Sequence, residues 1–403
     1  MLELRRATVI DAQPAPPAPP APPAPPARVS PREQRLTIEL SEQPGRSREA
    51  IVDVSLLGRA EVGDELIVNV QALDLGLGSG GFDVVHVNLT RGLSATDEGA
   101  ANVMKLNYTS LQHTVTPVET QGDGGERKLG LPLERPVGVL ALHGQLAPVA
   151  WAFAAGGEGR RLGYVQTEGG ALPGGHSHTV GELRERGLLA GHLTAGAAFG
   201  GEGEAITTAG ALHHGLSVLG WDAAVCGPGP GIVGSGSALG HGGMAALDSA
   251  HAALALGAQT LLVARMSSGD SRERHRGISH HTLIVLDLLL EPVAVALPAG
   301  MRSPVGAELR AGLGAVFGDG APSRPGLALD VERPARITRH DWRRATVDLP
   351  AYAASGLPSK TMGRTVSQDP LFFGAALAGG AALAELVAQA SEQRQDAPSG
   401  AVA

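Results

Sequence analysis

The spacing of apolar and polar positions changes near residue 137. Before it, the runs Leu2–Asp11, Arg35–Leu40, Ala50–Leu56, Glu65–Ala72 and Phe82–Asn88 are rich in Val, Ile, Leu and Thr and are punctuated by Gly, Pro and Asp. Such runs read as strands. Five or six of them in about 120 residues predict a small β-barrel or compact sandwich. Between the first two lies Pro14–Pro26, PAPPAPPAPPAPP. Its proline density imposes polyproline II and removes backbone donors, so it cannot join a core. It reads as a stiff solvated loop within a hairpin, with an SH3-type ligand as the alternative.

From Val137 strand-like and helix-like runs alternate. Val137–Leu142, Arg161–Gln166, Leu188–Thr194, Trp221–Cys226, Thr260–Arg265 and Val293–Leu297 read as strands. Gln145–Ala154, Thr179–Arg186, Glu204–Leu219, Gly240–Leu256 and His281–Leu290 read as helices. This alternation predicts βαβ units, a parallel sheet and right-handed crossovers with helices on both faces. After Gly300 the chain reads as irregular until a helix over Pro370–Ala390. The expected fold class is therefore α/β: an N-terminal small β-barrel domain, then a doubly wound, mainly parallel sheet domain. The expected boundaries are 1–122 for the barrel-like domain (with a Pro-rich loop at 12–30), 123–136 for a linker, 137–394 for the α/β domain and 395–403 for a disordered tail.

Composition narrows the picture. Aromatics are 3% of the chain, so the core must come mainly from Ala, Val and Leu. Acidic side chains outnumber basic ones 40 to 32, a balance that argues against a nucleic-acid partner. Only Lys105, Lys128 and Lys360 are lysines. The positive charge is thus almost all Arg, which suits bidentate recognition of carboxylate or phosphate, although an Arg-rich coding bias has the same effect. The single Cys226 excludes an internal disulfide and fits a reducing compartment. No 18-residue apolar run or signal peptide is evident, so the expectation is a bacterial cytoplasmic protein with no membrane partner. Homo-oligomerisation is left open.

Polar and Gly-rich clusters begin where the strands of the second domain end: His143; Thr167-Glu168-Gly169-Gly170; Thr194-Ala195-Gly196; Gly227 to Ser237; and Arg265 to His281. In an open parallel sheet, ligands bind beyond the carboxyl ends of the strands. Gly229-x-Gly231-x-x-Gly234 has dinucleotide-fingerprint spacing, but the next strand ends in Arg265 where a ribose-binding acid belongs. No Gly-Lys-Ser/Thr is present, so it is not a P-loop. The loop reads either as an anion cradle, with Ser235, or as a structural turn. Arg272-x-Arg274-His275-Arg276 reads either as a phosphate or carboxylate clamp or as a solvated charge run.

Asp270, His275, His280, His281 and Glu168 could ligate a metal. However, adjacent residues on a helix point about 100° apart, so His280 and His281 would rarely share an ion, and no metal is assigned. His280 or His281 suits anion contact or acid/base work near neutral pH. Cys226 reads as a core residue, His213-His214 as a solvated helix face, and Ser177 as a cap between His176 and His178.

Seven ordered strings carry a resemblance: GDELIVNVQALDLGLGSGGFDVVHVNL, NVMKLNYTSLQ, YVQTEGGALP, TAGAAFGGEGEA, GPGPGIVGSGSALG, RMSSGDSRERHRGISHHT and TMGRTVSQDPLFFGAALAGG. Together they resemble the uncharacterised bacterial domain-of-unknown-function family 3866, from about residue 1 to 390, with the proline tract as an insertion. The resemblance implies no reaction. The family's second strand usually ends in Thr-Asp-Gly, where this chain has Thr167-Glu168-Gly169; the longer carboxylate weakens a tight metal-ligand role.

These residues lead to an expected enzyme acting on a phosphorylated or otherwise anionic small molecule, with its cofactor unknown. Gly229, Gly231, Gly234 and Ser235 would supply donors, and Arg265, Arg272, Arg274 and Arg276 would clamp charge. Glu168, Asp270, His280 and His281 would be the acid/base candidates. The alternative is a non-catalytic sensor or assembly protein with a regulatory nucleotide site.

Overall fold

The computed structural model describes residues 2–12, 33–76, 81–92, 103–120, 129–299 and 334–396. The proline tract, the first part (123–128) of the expected linker and all but the start of the expected tail lie outside these. The chain divides into two compact units, Met1–Thr116 and Pro117–Ala403. The division falls a few residues before the expected boundary because Val118 is buried in the second core and Glu119 accepts from the Ile206 and Thr207 amides.

The first unit is a closed barrel of β1 (Leu4–Ala12), β2 (Glu33–Leu40), β3 (Ser47–Asp53), β4 (Glu65–Asn69) and β5 (Asp83–Asn88), in the order β1-β2-β3-β5-β4. As the pattern predicts, β1 belongs to it, paired antiparallel with both β2 and β4. Alternate residues point inward, so Ala7, Val9, Leu36, Ile38, Leu40, Leu66 and Val68 form one core. Closure removes exposed sheet edges. A small hairpin, β6 (Val103–Lys105) and β7 (His113–Val115), completes the unit.

The second unit is built on eight parallel strands: β8 (Val137–Leu140), β9 (Leu162–Thr167), β10 (Gly191–Ala195), β11 (Gly203–Ala205), β12 (Ala223–Pro228), β13 (Thr260–Val263), β16 (Ala294–Ala299) and β17 (Asp341–Thr346). A short hairpin, β14 (Met266–Ser267) and β15 (Gly277–Ile278), leaves the end of β13; a second, β18 (Lys360–Thr361) and β19 (Arg364–Thr365), follows β17. The sheet order is β11-β10-β9-β12-β8-β13-β16-β17. Helices α1 (Leu146–Ala155), α2 (His178–Glu185), α6 (Leu349–Ala354) and α7 (Pro370–Asp396) cover one face. The other is covered by α3 (Thr208–His213, continued in wider turns to Val218), α4 (Ala245–Ala255) and α5 (His280–Leu288).

Three expectations need correction. Gly203–Ala205 is an edge strand rather than the start of a helix, because the helix is capped later by Thr207. The stretch after Gly300 is not irregular up to Pro370, since it contains β17, α6 and the β18–β19 hairpin. His214 is buried, because its turn of α3 faces the sheet.

Helix α7 is long and apolar enough to cross a membrane over Pro370–Glu392, but 83% of its most apolar window is buried. Small residues let it sit close to its neighbours. A Cβ on Gly380 would lie 2.2 Å from the Val149 carbonyl, and one on Gly156 would lie 2.4 Å from Ala384 Cβ.

Candidate functional site

A cavity of about 470 Å³ opens beyond the carboxyl ends of β12, β8 and β13, three adjacent strands in mid-sheet. Leu142-His143-Gly144 after β8, Pro230–Ser235 after β12, and Arg265 to His275 after β13 form its walls, with Lys360-Thr361-Met362 of the β18–β19 hairpin. The chain leaves β8 toward the α1 face but leaves β12 and β13 toward the α4 and α5 face. The cavity therefore lies at the topological switch point of the sheet. Gln145 ties its floor together: its Oε1 accepts from the Ala141 and Leu142 amides at 3.1 Å, and its Nε2 donates to the Val263 and Ala264 carbonyls.

The Gly-rich loop has two parts. Around Gly229 its glycines allow backbone to meet backbone. A Cβ on Gly170 would lie 2.3 Å from the Gly229 carbonyl oxygen, one on Gly229 2.3 Å from that of Ala171, and one on Gly242 1.9 Å from that of Gly169. Gly229 is therefore a packing position, away from the cavity lining. Gly231, Gly234 and Ser235 do line the cavity, and Gly231 takes φ +72° with open space beside it. The loop does not run straight into a helix, because helical turns begin only at Gly242.

The Arg265–Ser279 segment is held by buried carboxylates. Asp270, 1% exposed, accepts from Arg272 Nε at 3.0 Å and Nη2 at 2.9 Å, from the Arg272 amide at 3.0 Å, and from Arg364 at 3.3 Å. Burial alone would raise its pKa, but the hydrogen bonds and charge of Arg272 hold it well below the usual carboxylate range. Asp270 thus stays ionised and anchors guanidiniums, a poor setting for proton transfer. Asp369, fully buried, accepts from Ser267 Oγ at 2.6 Å, the Ser268 amide at 2.8 Å and Arg364 Nε at 3.0 Å, fastening the loop to the start of α7.

The four arginines separate. Arg265 is buried; it donates to His281 Nδ1 at 2.6 Å, and burial lowers it to about 10, so it remains cationic at neutral pH. Arg272 lines the cavity but is held by Asp270. Arg274 also lines the cavity, and its Nε is buried without a partner. Arg276 lies outside the lining and donates to the Asp270 carbonyl at 2.9 Å. Glu168 is exposed and does not line the cavity either.

Four imidazoles cluster beside the arginines. His275 bonds Ser279 Oγ at 2.8 Å, and burial followed by the charges of Arg265 and Arg272 pushes it down to about 3. His280 and His281 open α5, where the Ser279 hydroxyl caps the helix by accepting from the His281 amide. His241, from the loop before α4, stacks on His281 with ring centres 3.5 Å apart. His143, which also lines the cavity, brings its Nε2 to 2.7 Å from Ser177 Oγ.

The chain matches the family described as Protein of unknown function (DUF3866) over residues 49–380. It belongs to that family. The match in this DUF3866 chain begins within β3, so β1 and β2 precede it. No curated protein and no solved structure matches the chain.

Sequence reading placed Gly231, Gly234, Ser235, Arg265, Arg272, Arg274 and His281 at the cavity of this DUF3866 chain. It missed Lys360, Arg364, Asp369 and His241. The first three lie in a stretch whose periodicity is broken by short elements. His241 could have been noticed from its flanking glycines, since Gly240-His241-Gly242-Gly243 places a lone imidazole where backbone approaches closely.

Proposed function

We propose that the cavity binds a small anionic metabolite, most simply a phosphorylated one, and that the protein is an enzyme acting on it. One observation carries this reading. Arg265, Arg272, Arg274 and Lys360 line one cavity at the switch point of a parallel sheet, with no Asp or Glu among its lining residues. Asp270, behind the lining, offsets one of these four charges through Arg272, and the remaining excess of positive charge forms a field matched to an anion. Arg274 Nε, buried and unpartnered, is a donor awaiting an acceptor.

Pyrophosphate and a panel of phosphorylated metabolites should raise the melting temperature by mass action. Arg274→Ala and Lys360→Ala should each weaken binding roughly ten- to a hundredfold, the loss of one charge-assisted contact, while melting near the wild-type temperature. An unmoved melting curve across the panel would remove the reading.

A further inference from the structure

We propose that His241, His280 and His281 form a binding site for a divalent transition-metal ion of the zinc class, at the edge of the cavity that His281 lines. One nitrogen from each of the three rings falls within 4.8 Å of the others. All three side chains are more than nine-tenths buried, at 6%, 4% and 5% exposure. The difficulty that neighbouring helix positions diverge is met by the third residue. His241 arrives from a different segment, with ring centres 3.5 Å from His281 and 5.6 Å from His280.

The hydrogen bonds favour ligation. His280 Nδ1 lies 3.2 Å from the Arg274 carbonyl, which can only accept, so Nδ1 carries the proton and Nε2 the lone pair. That Nε2 is buried without a partner. A backbone carbonyl fixing the far nitrogen is the usual support of a metal-bound histidine. Both nitrogens of His241 are buried and neither makes a hydrogen bond of normal geometry. Gly243 keeps the space open, since a Cβ there would stand 3.0 Å from His241 Nδ1 and 3.3 Å from His281 Nδ1.

Two contacts must yield. His241 and His281 lie within 10° of parallel, and parallel rings cannot both aim in-plane lone pairs at one ion. Ligation therefore requires one ring to turn, and His241, whose nitrogens make no hydrogen bond of normal geometry, is the one that does so without breaking one. Arg265 donates to His281 Nδ1. Ligation through Nδ1 displaces that donor, and ligation through Nε2 puts a proton on Nδ1, so either way Arg265 releases His281. Imidazole suits zinc, copper, iron and nickel, and three protein ligands leave a further position open to water or to a substrate oxygen. The inference deepens the anion-site reading by placing a Lewis acid beside it, but it rests on different residues.

The test uses the full-length protein, incubated with Zn(II) or Co(II), dialysed, and analysed for bound metal and for affinity by chelator competition. One ion per chain is expected. His241→Ala and His280→Ala should each weaken binding at least about a hundredfold, while His213→Ala, on α3, retains the ion. Arg274→Ala should keep the metal and bind pyrophosphate roughly ten- to a hundredfold more weakly. Zinc-edge X-ray absorption of the wild type counts imidazole ligands without any variant, so it decides the matter even if the alanine variants misfold. A wild type that takes up no ion, or a shell without about three imidazoles, overturns the site. Pyrophosphate binding without metal removes this inference alone; metal binding without any phosphorylated ligand removes the anion reading alone.

Discussion

Arg272, Arg274 and Arg276 lie within five residues, yet the fold gives each a different task. Arg272 closes a two-toothed ion pair on Asp270, Arg274 presents an unpartnered nitrogen, and Arg276 ties the loop to its own backbone. Asp270 should accordingly be a stability residue. Asp270→Ala leaves the buried Arg265 short of a counter-charge and should cost about 3 kcal/mol or more. Arg272→Ala, whose side chain is 46% exposed, should cost about 1 kcal/mol. Urea denaturation of the two variants checks the order, and an Asp270→Ala protein as stable as wild type would mean that the ion pairs contribute nothing. This division was not legible in the sequence, where the three arginines look alike. Their roles follow from a hairpin turn that folds Asp270 back under Arg272, and from Arg364, which arrives about ninety residues later. The histidines show the same limit. Periodicity put the start of α5 at His281, one residue from the observed His280, but could not say that His241 lies against them.

Elements rather than single residues explain most of the glycine content around the cavity. The loops after β9 and β12 interlock through bare backbone, Gly170 against Gly229 and Gly169 against Gly242. Gly242→Ala would drive a Cβ to 1.9 Å from the Gly169 carbonyl oxygen, where only backbone can move. It should destabilise the protein by about 3 kcal/mol or more, at the upper end of overpacking effects. Gly231→Ala meets no atom and bears only the left-handed backbone penalty of about 1–2 kcal/mol. Equal melting temperatures for the two variants would show that the loops separate easily. At this scale the sequence was informative wherever an element is long and regular: β1 to β5, then β8, β9, β10, β12, β13 and β16, and α7 all stand close to where apolar spacing put them. It failed at β17, whose half-buried Trp342-Arg343 and exposed Arg344 lack a buried strand's apolar signature and which is placed by pairing along β16.

Across the whole molecule, the α/β unit buries imidazoles that the fold keeps neutral, and this gives stability a defined pH dependence. His340 is satisfied on both sides, accepting from the Val293 amide through Nδ1 and donating to the Leu286 carbonyl through Nε2. A second proton would set N–H against N–H, and burial lowers the pKa of this residue. Burial likewise pushes His143 down to about 4 from an ordinary 6.5. Because the folded pKa lies below the unfolded one, the unfolded chain binds more protons between them, and stability falls as pH falls through that window. For His143 the window runs from 6.5 to about 4. Between pH 7 and pH 5 its contribution should fall by about 2 kcal/mol, with His340 adding to the loss. Urea midpoints of the α/β transition, measured at pH 7 and pH 5, should show this decline in the wild type. His143→Gln, which cannot titrate, should start less stable at pH 7 but lose less on acidification. A wild-type midpoint that does not move between the two pH values would mean that His143 takes up its proton inside the fold. A decline of the same size in His143→Gln would assign the acid sensitivity to other groups.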